Sequence, residues 1–562
     1  MTTLPATGTA LGAAESNGLR IVRIVLGLAL LMPTLFVGFM GLVGPTFGMI
    51  LASIYKSSLL GPAQSVGLAN YAQLFANAAF AQAVRFTLEM ALVRVLAVAL
   101  LPLLLVLAVA PFGPWIRWPV RLLFTVPLAL HAPVSFDILW RIALSPSTGS
   151  LRGLGLSFSD PTEAVRTFLG LDGLGTLGLA CGVGLIVGLA ALRNPAHARR
   201  TLAVAWLIGL LATVALSLQS FTPSEVLTGG GPANLTTTLA LFQYRQAFVT
   251  LQPGLAAATA VVTLSALMLL GLLAGLVIVL TELRLEVGPR TQVAGARAPF
   301  AISLLIAVLL LSLFLGLVDA LPAVLAWLSN PGLTNALNPV TSRTPLEAVA
   351  VNTVLPPLLQ LLPQLPLVYL AALGIGALRP LGRWSEVLLL PFSLWLFVGV
   401  GPLSITAYET LRSVKLLDTV AGLTPPPPLS VAMLFVLALL FKGQESHWRA
   451  ARAAGESGLR AFFTQLILPS IPFVVLLAGA GLLVGTQELL WPLLVATRPE
   501  HWTASLVLLQ LSNDLARTWG AVGSAAVVLG LPAFVSGFFI FGALQIFDLD
   551  RLMLCTGDHV SH

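Results

Sequence analysis

Charge is what this 562-residue sequence lacks: only 9% of its residues are Asp, Glu, Lys or Arg, against 57% hydrophobic. Soluble chains average about 25% charged residues. A soluble protein of this length has no interior large enough for so much apolar surface, which makes lipid the expected solvent. Cysteine is nearly absent, with Cys181 and Cys555 far apart; this excludes a disulfide framework and a cysteine-built metal site. Lysine occurs only at Lys56, Lys415 and Lys442, never after a glycine-rich turn. A Gly-x-x-x-x-Gly-Lys-Ser/Thr phosphate loop is thereby excluded, so any ATP that drives this protein is hydrolysed on another chain. The six histidines form no proton relay or metal constellation. No catalytic residue, metal or cofactor is expected. The isoelectric point near 10.0 comes from arginines spaced singly between apolar runs. It therefore points to no nucleic-acid partner.

Apolar runs are what the chain does have. A membrane helix needs roughly 20 mostly apolar residues. Twelve stretches qualify, at about 25–50, 87–110, 119–142, 174–192, 201–221, 254–281, 299–328, 350–377, 385–408, 427–442, 470–496 and 519–546. Prolines within them (Pro33, Pro127, Pro356, Pro357, Pro391) are tolerable, because neighbouring helices and water satisfy the freed carbonyls. The expected fold is all-α, a polytopic membrane protein of about 12 helices. Residues 1–20 are expected to be a disordered tail without a cleavable signal. The spans divide at a basic stretch into 21–285, a linker 286–298, and 299–562. Six spans in each half make any repeat parallel. Most of the 29 basic residues, among them Arg193, Arg199, Arg200, Arg449 and Arg452, lie on the side shared by both termini. The positive-inside rule then places both termini in the cytoplasm of a multi-pass cell-membrane protein. Acids within the spans are few: Glu89, Asp137, Asp319, Glu386 and Glu488. Each should face protein or water. Asp137 and Arg141, four apart on one helix, predict an ion pair.

Two families have parallel six-helix halves: major-facilitator secondary transporters and ABC permeases with two fused membrane subunits. The local motifs discriminate. The string Phe221-Thr-Pro-Ser-Glu225-Val-Leu-Thr228-Gly229-Gly230-Gly231-Pro232, followed by Tyr244-Arg245 and Phe248, makes a rigid turn after a span. It resembles the signature of sugar-type, binding-protein-dependent ABC permeases, in the first of their two membrane subunits (maltose-permease-like). Val66-Gly67-Leu68-Ala69-Asn70-Tyr71 is similar to that family's "VGLxNY", and Trp140-Arg141 to its Trp-Arg helix end. The second half resembles the partner subunit, through Asn352-Thr353, Leu416-Leu417-Asp418-Thr419 with Gly422, and Gln487-Glu488-Leu489-Leu490-Trp491-Pro492. The resemblance runs in order over about 60 to 560, with both subunits joined.

The segment from Trp448 to Pro469 reads as a short alanine-arginine helix, a glycine turn at Gly455, and Leu468-Pro469. It resembles the family's "EAA" coupling loop, which docks in the ATPase. By that resemblance Arg449, Ala450, Ala451, Gly455, Phe463, Leu468 and Pro469 form the ATPase-coupling loop. Arg449 stands where the family has Glu, Ala454 where it has Asp, and the spacing from Gly455 to Pro469 is one residue longer. The matching segment of the first half, Arg193 to Arg200, is too short to hold a docking helix with its connections. What the resemblance implies is the permease of an ABC importer, with separate ABC ATPase subunits, an extracytoplasmic solute-binding protein, and a sugar or related small solute as cargo. Polar and aromatic groups within the spans (Gln360, Gln364, Gln487, Glu488, Trp491) are candidate path-lining residues; helix packing would use them equally well. The competing readings are a major-facilitator-type secondary transporter and a membrane-embedded enzyme. Acid-poor spans count against proton coupling, and the lack of an acid, base or metal cluster counts against chemistry.

Overall fold

A computed structural model describes residues 17–58, 61–129, 132–145, 149–194, 197–288, 299–426, 429–514, 519–547 and 549–557. Most of the expected tail and linker therefore lies outside the described residues. The protein is all-α, with two small hairpins as its sheet among the described residues. The first stretch holds α1 (Asn17–Gly38), α2 (Gly44–Ser53), β1 (Tyr55–Ser58), β2 (Gly61–Ser65), α3 (Ala69–Phe75), α4 (Ala78–Val109), α5 (Pro114–Ala129), α6 (Pro133–Ala143), α7 (Pro161–Leu192), α8 (Ala198–Leu218), α9 (Leu239–Tyr244), α10 (Pro253–Leu280) and β3 (Arg284–Val287). The second holds α11 (Pro299–Ser329), α12 (Leu333–Thr341), α13 (Leu346–Leu373), α14 (Leu390–Ser393), α15 (Val400–Ser413), α16 (Val431–Ala453), α17 (Gly458–Phe462), α18 (Leu468–Thr486), α19 (Leu490–Val495), α20 (Ala504–Ser512), α21 (Trp519–Phe547) and β4 (Leu552–Cys555).

Among the described residues, nine helices are long and apolar enough to cross a membrane, and a tenth span forms if α5 and α6, bent by 79°, count as one. The remaining two expected stretches are helical but different. The 385–408 run is interrupted: a 3-10 turn (Gly382–Leu389) and α14 precede a non-helical stretch, and Gly399 is extended before α15 begins. The 427–442 run lies in α16, which continues through a charged end to Ala453. Helix α13 stays helical through Pro356, Pro357, Pro363 and Pro366. Large apolar side chains point outward around the bundle, Phe36, Phe314 and Phe539 each being more than 60% exposed. Such a belt is stable only against lipid.

The order of elements repeats. In each stretch a long span leads to a short helix (α3, α12), a second span, a broken third (α5–α6, α14–α15), two further spans, a short capped helix (α9, α20), a last span and a strand. Details repeat too. Thr238 and Thr503 cap α9 and α20. The next amides, Leu239 N and Ala504 N, donate to Thr87 Oγ1 at 3.0 Å and Thr353 Oγ1 at 2.9 Å, both on the second span.

The two repeats exchange parts. Helix α1 packs on α13 and the turn Gly374–Leu378 of the second repeat, while α11 packs on α4 and α6 of the first. Likewise α10 contacts α14 and α15, and α21 contacts α5 and α6. The terminal strands β3 and β4 pair antiparallel, Arg284 opposite Cys555 and Val287 opposite Leu552. Strand β3 then crosses α16 at Gly443, where a Cβ would sit 1.9 Å from Leu285 O, so only glycine permits the crossing. Strand β4 packs on α7, and Thr201 Oγ1 meets Thr556 Oγ1 at 3.0 Å.

Candidate functional site

At one end of the bundle α16 runs past the spans, turns and re-enters as α17 and α18. The Ala454 amide still donates to Ala450 O at 2.9 Å, and Gly455 then breaks the helix at φ +91°. A side chain there would meet no atom, so glycine is required by backbone conformation and not by space. The Ser457 hydroxyl accepts the Arg460 amide and starts α17. Residues 452–460 are all exposed, and so are Phe463 and Leu468. This is a protruding helical hairpin with an apolar flank, and it brings Arg449, Ala450, Ala451, Gly455 and Phe463 together. Pro469 sits at the start of α18. In the first repeat α7 ends at Leu192 and α8 begins at Ala198, which leaves no length for a comparable helix between them.

Beneath the hairpin lies a charge network that sequence reasoning missed. Arg379 bonds Glu386 at 3.1 Å and Glu445 at 3.3 Å; Lys442 pairs with Glu386 at 3.2 Å. Arg449 pairs with Glu445 one helical turn earlier. The signal was present: Lys442, Glu445 and Arg449 recur at three- and four-residue spacing, on one face of a helix. Arg449 thus has an acidic partner within its own helix.

The loop at 228–232 is held by its own polar groups. Gly229 and Gly230 have φ of +55° and +72°. Thr228 Oγ1 meets Thr236 Oγ1 at 2.6 Å, Thr236 donates to Gly231 O at 2.7 Å, and Arg245 reaches both Asn234 and the Gly229 carbonyl. Pro232 follows Gly231 within this closed turn. Other motif residues clamp chain ends. Asn70 donates to Ser53 O at 2.7 Å, Asn352 to Glu500 O at 2.8 Å, and Trp491 Nε1 to Gly422 O at 2.9 Å.

A cavity of about 220 Å³ lies within the second repeat, walled by Gln360, Gln364, Trp395, Ser430 and Glu488 among mostly apolar neighbours. Of the five expected path-lining residues, Gln360, Gln364 and Glu488 meet there. Trp491 is 1% exposed and serves packing, and Gln487 caps α18 outside the lining. The expected Asp137–Arg141 pair does not form. Arg141 donates to Val226 O at 3.2 Å and Asn513 Oδ1 at 3.3 Å, whereas the buried Asp137 Oδ2 has no hydrogen-bond partner among the described residues. Helix α6 packs its Asp137 face inward, while Arg141, in its last turn, reaches the rim between the repeats.

No family model matches the chain. A permease is similar to it. The sulfoquinovosyl glycerol transport system permease protein SmoG of Agrobacterium fabrum is 26% identical over 272 residues, which cover 42% of this chain and 85% of that protein. The chain is accordingly a multi-pass membrane protein related to a transport-system permease.

Proposed function

We propose that this chain is the membrane-spanning permease of an ABC importer for a sugar-class solute, with two permease subunits fused as 21–285 and 299–562. The observation that carries the reading is a ratio. A permease matched over 85% of its length occupies 42% of this chain, so the relative is about half as long. The repeated order of elements supports the same division. In this reading the exposed hairpin around Gly455 faces separate ATPase subunits in the cytoplasm, with both termini on that side. The closed loop 228–232 faces the extracytoplasmic binding protein. Reconstituted alone, the chain should hydrolyse no ATP and accumulate no sugar; with ATPase and binding protein added it should do both. Uptake by the lone chain under a proton gradient would overturn the reading in favour of a secondary transporter. A cysteine placed at 455 should resist external labelling in intact cells, where one placed at 231 reacts.

A further inference from the structure

The two repeats fill the same position differently. Thr87 and Thr353 are equivalent by their shared bond to the capped short helix. Two helical turns further along the same spans stand Arg94 and Gln360. Gln219 and Gln487 end the fifth spans, α8 and α18. The residues after them are Ser220 and Glu488. In the first repeat Arg94 reaches Asp172 at 2.7 Å and 2.5 Å and Ser220 at 3.1 Å, so the protein's own charged side chains occupy that position. In the second repeat Gln360 donates instead to Pro425 O at 2.9 Å, and the cavity of about 220 Å³ opens beside it, with Glu488 on its wall.

We infer that this second-repeat cavity is the solute chamber and that it takes a neutral, polyhydroxylated solute of monosaccharide size, the first repeat holding none. The inference rests on the permease reading above. Gln364 carries it: the side chain is 3% exposed, lines the cavity, and makes no hydrogen bond to any described residue. A carboxamide that no neighbouring group holds is available to a solute in the cavity. It offers two donors and an acceptor, which hydroxyl groups match in both senses. Ser430 adds another hydroxyl, and Trp395 supplies a flat apolar wall for a sugar's C–H face. Glu488 is the only charged side chain among the lining residues. Its Oε1 accepts the amides of Leu490 at 3.1 Å and Trp491 at 3.4 Å, which fixes the side chain on the wall. With no Lys, Arg or His among those lining residues, nothing there pairs with an anionic sugar, while the Glu488 side chain accepts hydroxyl hydrogens from a neutral one. The volume lies below the usual range of about 300–1,000 Å³ for ligand pockets, which suits one sugar ring better than an oligosaccharide.

The test uses the full-length chain in lipid nanodiscs, carrying Gln364→Cys, alkylated by a small maleimide with or without glucose, sorbitol or glucuronate. Both native cysteines are buried, so Cys181→Ser and Cys555→Ser give a clean background. The thiol should react, and the neutral solutes should slow it severalfold while glucuronate does not. A thiol that never reacts, or one that no sugar protects, overturns the chamber; equal protection by glucuronate overturns its charge preference. A second arm measures labelled-sugar uptake by the chain assembled with its ATPase and binding protein. If the unmodified assembly takes up no sugar, the permease reading itself fails. If uptake persists at full rate after residue 364 is alkylated, that reading stands and the chamber falls. Gln364→Asn, which keeps the carboxamide, should retain most of the uptake that Gln364→Ala loses.

Discussion

The first repeat closes its interior with an ion pair, and the second leaves polar groups around a cavity. Both begin from the same scaffold: a second span whose threonine receives the first amide of a capped helix. Arg94, paired with Asp172 and bonded to Ser220, stands where the other repeat has Gln360 beside a cavity with Glu488 on its wall. In the proposed reading the first arrangement is a plug and the second a chamber. The repeats differ in the same way at the opposite end. One passes from α7 to α8 within a few residues, and the other extends an exposed hairpin. Two stretches with the same order of elements can therefore differ in what they hold inside and in what they expose at one end.

The sharpest way to break this comparison is Arg94→Leu. It strands the buried Asp172 carboxylate, and losing one partner of a buried pair costs about 3–5 kcal/mol. The thermal midpoint in detergent should fall steeply, and Asp172→Leu added to it should restore most of the loss. Gln360→Leu at the equivalent position should barely move the midpoint. Equal effects at 94 and 360 would erase the distinction between plug and chamber.

Gly443→Val comes next. The added side chain collides with the Leu285 carbonyl and forces β3 off α16, at roughly 1–3 kcal/mol for an overpacked site. Hydrogen exchange should rise across 284–287 and 552–555 together, because those strands pair only with each other. Exchange that rises in one strand alone would count against a shared strap. Gly455→Val is smaller, about 1–3 kcal/mol of backbone strain in an exposed turn. The folded yield should change little, while uptake is lost and the ATPase still hydrolyses. Arg199→Ala with Arg200→Ala should matter less; a silent 455 change beside a lethal 199–200 change would reverse the assignment of the coupling end.

The smallest effect is one of pH. Asp418 lies in a loop between spans, where burial raises its carboxyl. The Thr497 hydroxyl and the Thr497 and Arg498 amides outweigh that and hold it below the usual carboxylate range. Because the folded value is the lower one, the stabilisation is complete above the ordinary range and disappears as pH falls through the folded value. Exchange at the 497–498 amides should therefore accelerate in acid, and Asp418→Asn should flatten that dependence.

Much of the architecture was legible along the chain. Continuous apolar runs, their number and the glycine-rich turns follow from local composition, since a bilayer imposes length and polarity on each span separately. The hairpin after α16 was legible for a similar reason: a helix-forming run stops at a glycine. The broken third spans were less so, because the run at 385–408 is apolar throughout and the break depends on what α10 and Gln219 contact there. Gln219 donates to Phe397 O at 2.7 Å and accepts the Gly399 amide at 2.9 Å, across 180 residues of sequence.

The sequence by itself determined that this protein lives in lipid, that it is helical and that it carries no phosphate loop. Those properties are sums over local residues. Only the tertiary structure decided that Arg141 would pass over its neighbour Asp137, that α1 and α11 would each pack on the opposite repeat, and that Gln364 would face a cavity while Trp491 would not. Helical spacing fixes which side chains share a face. Which face meets a carbonyl, a carboxylate or open volume depends on helices hundreds of residues away, and no local pattern encodes that partner.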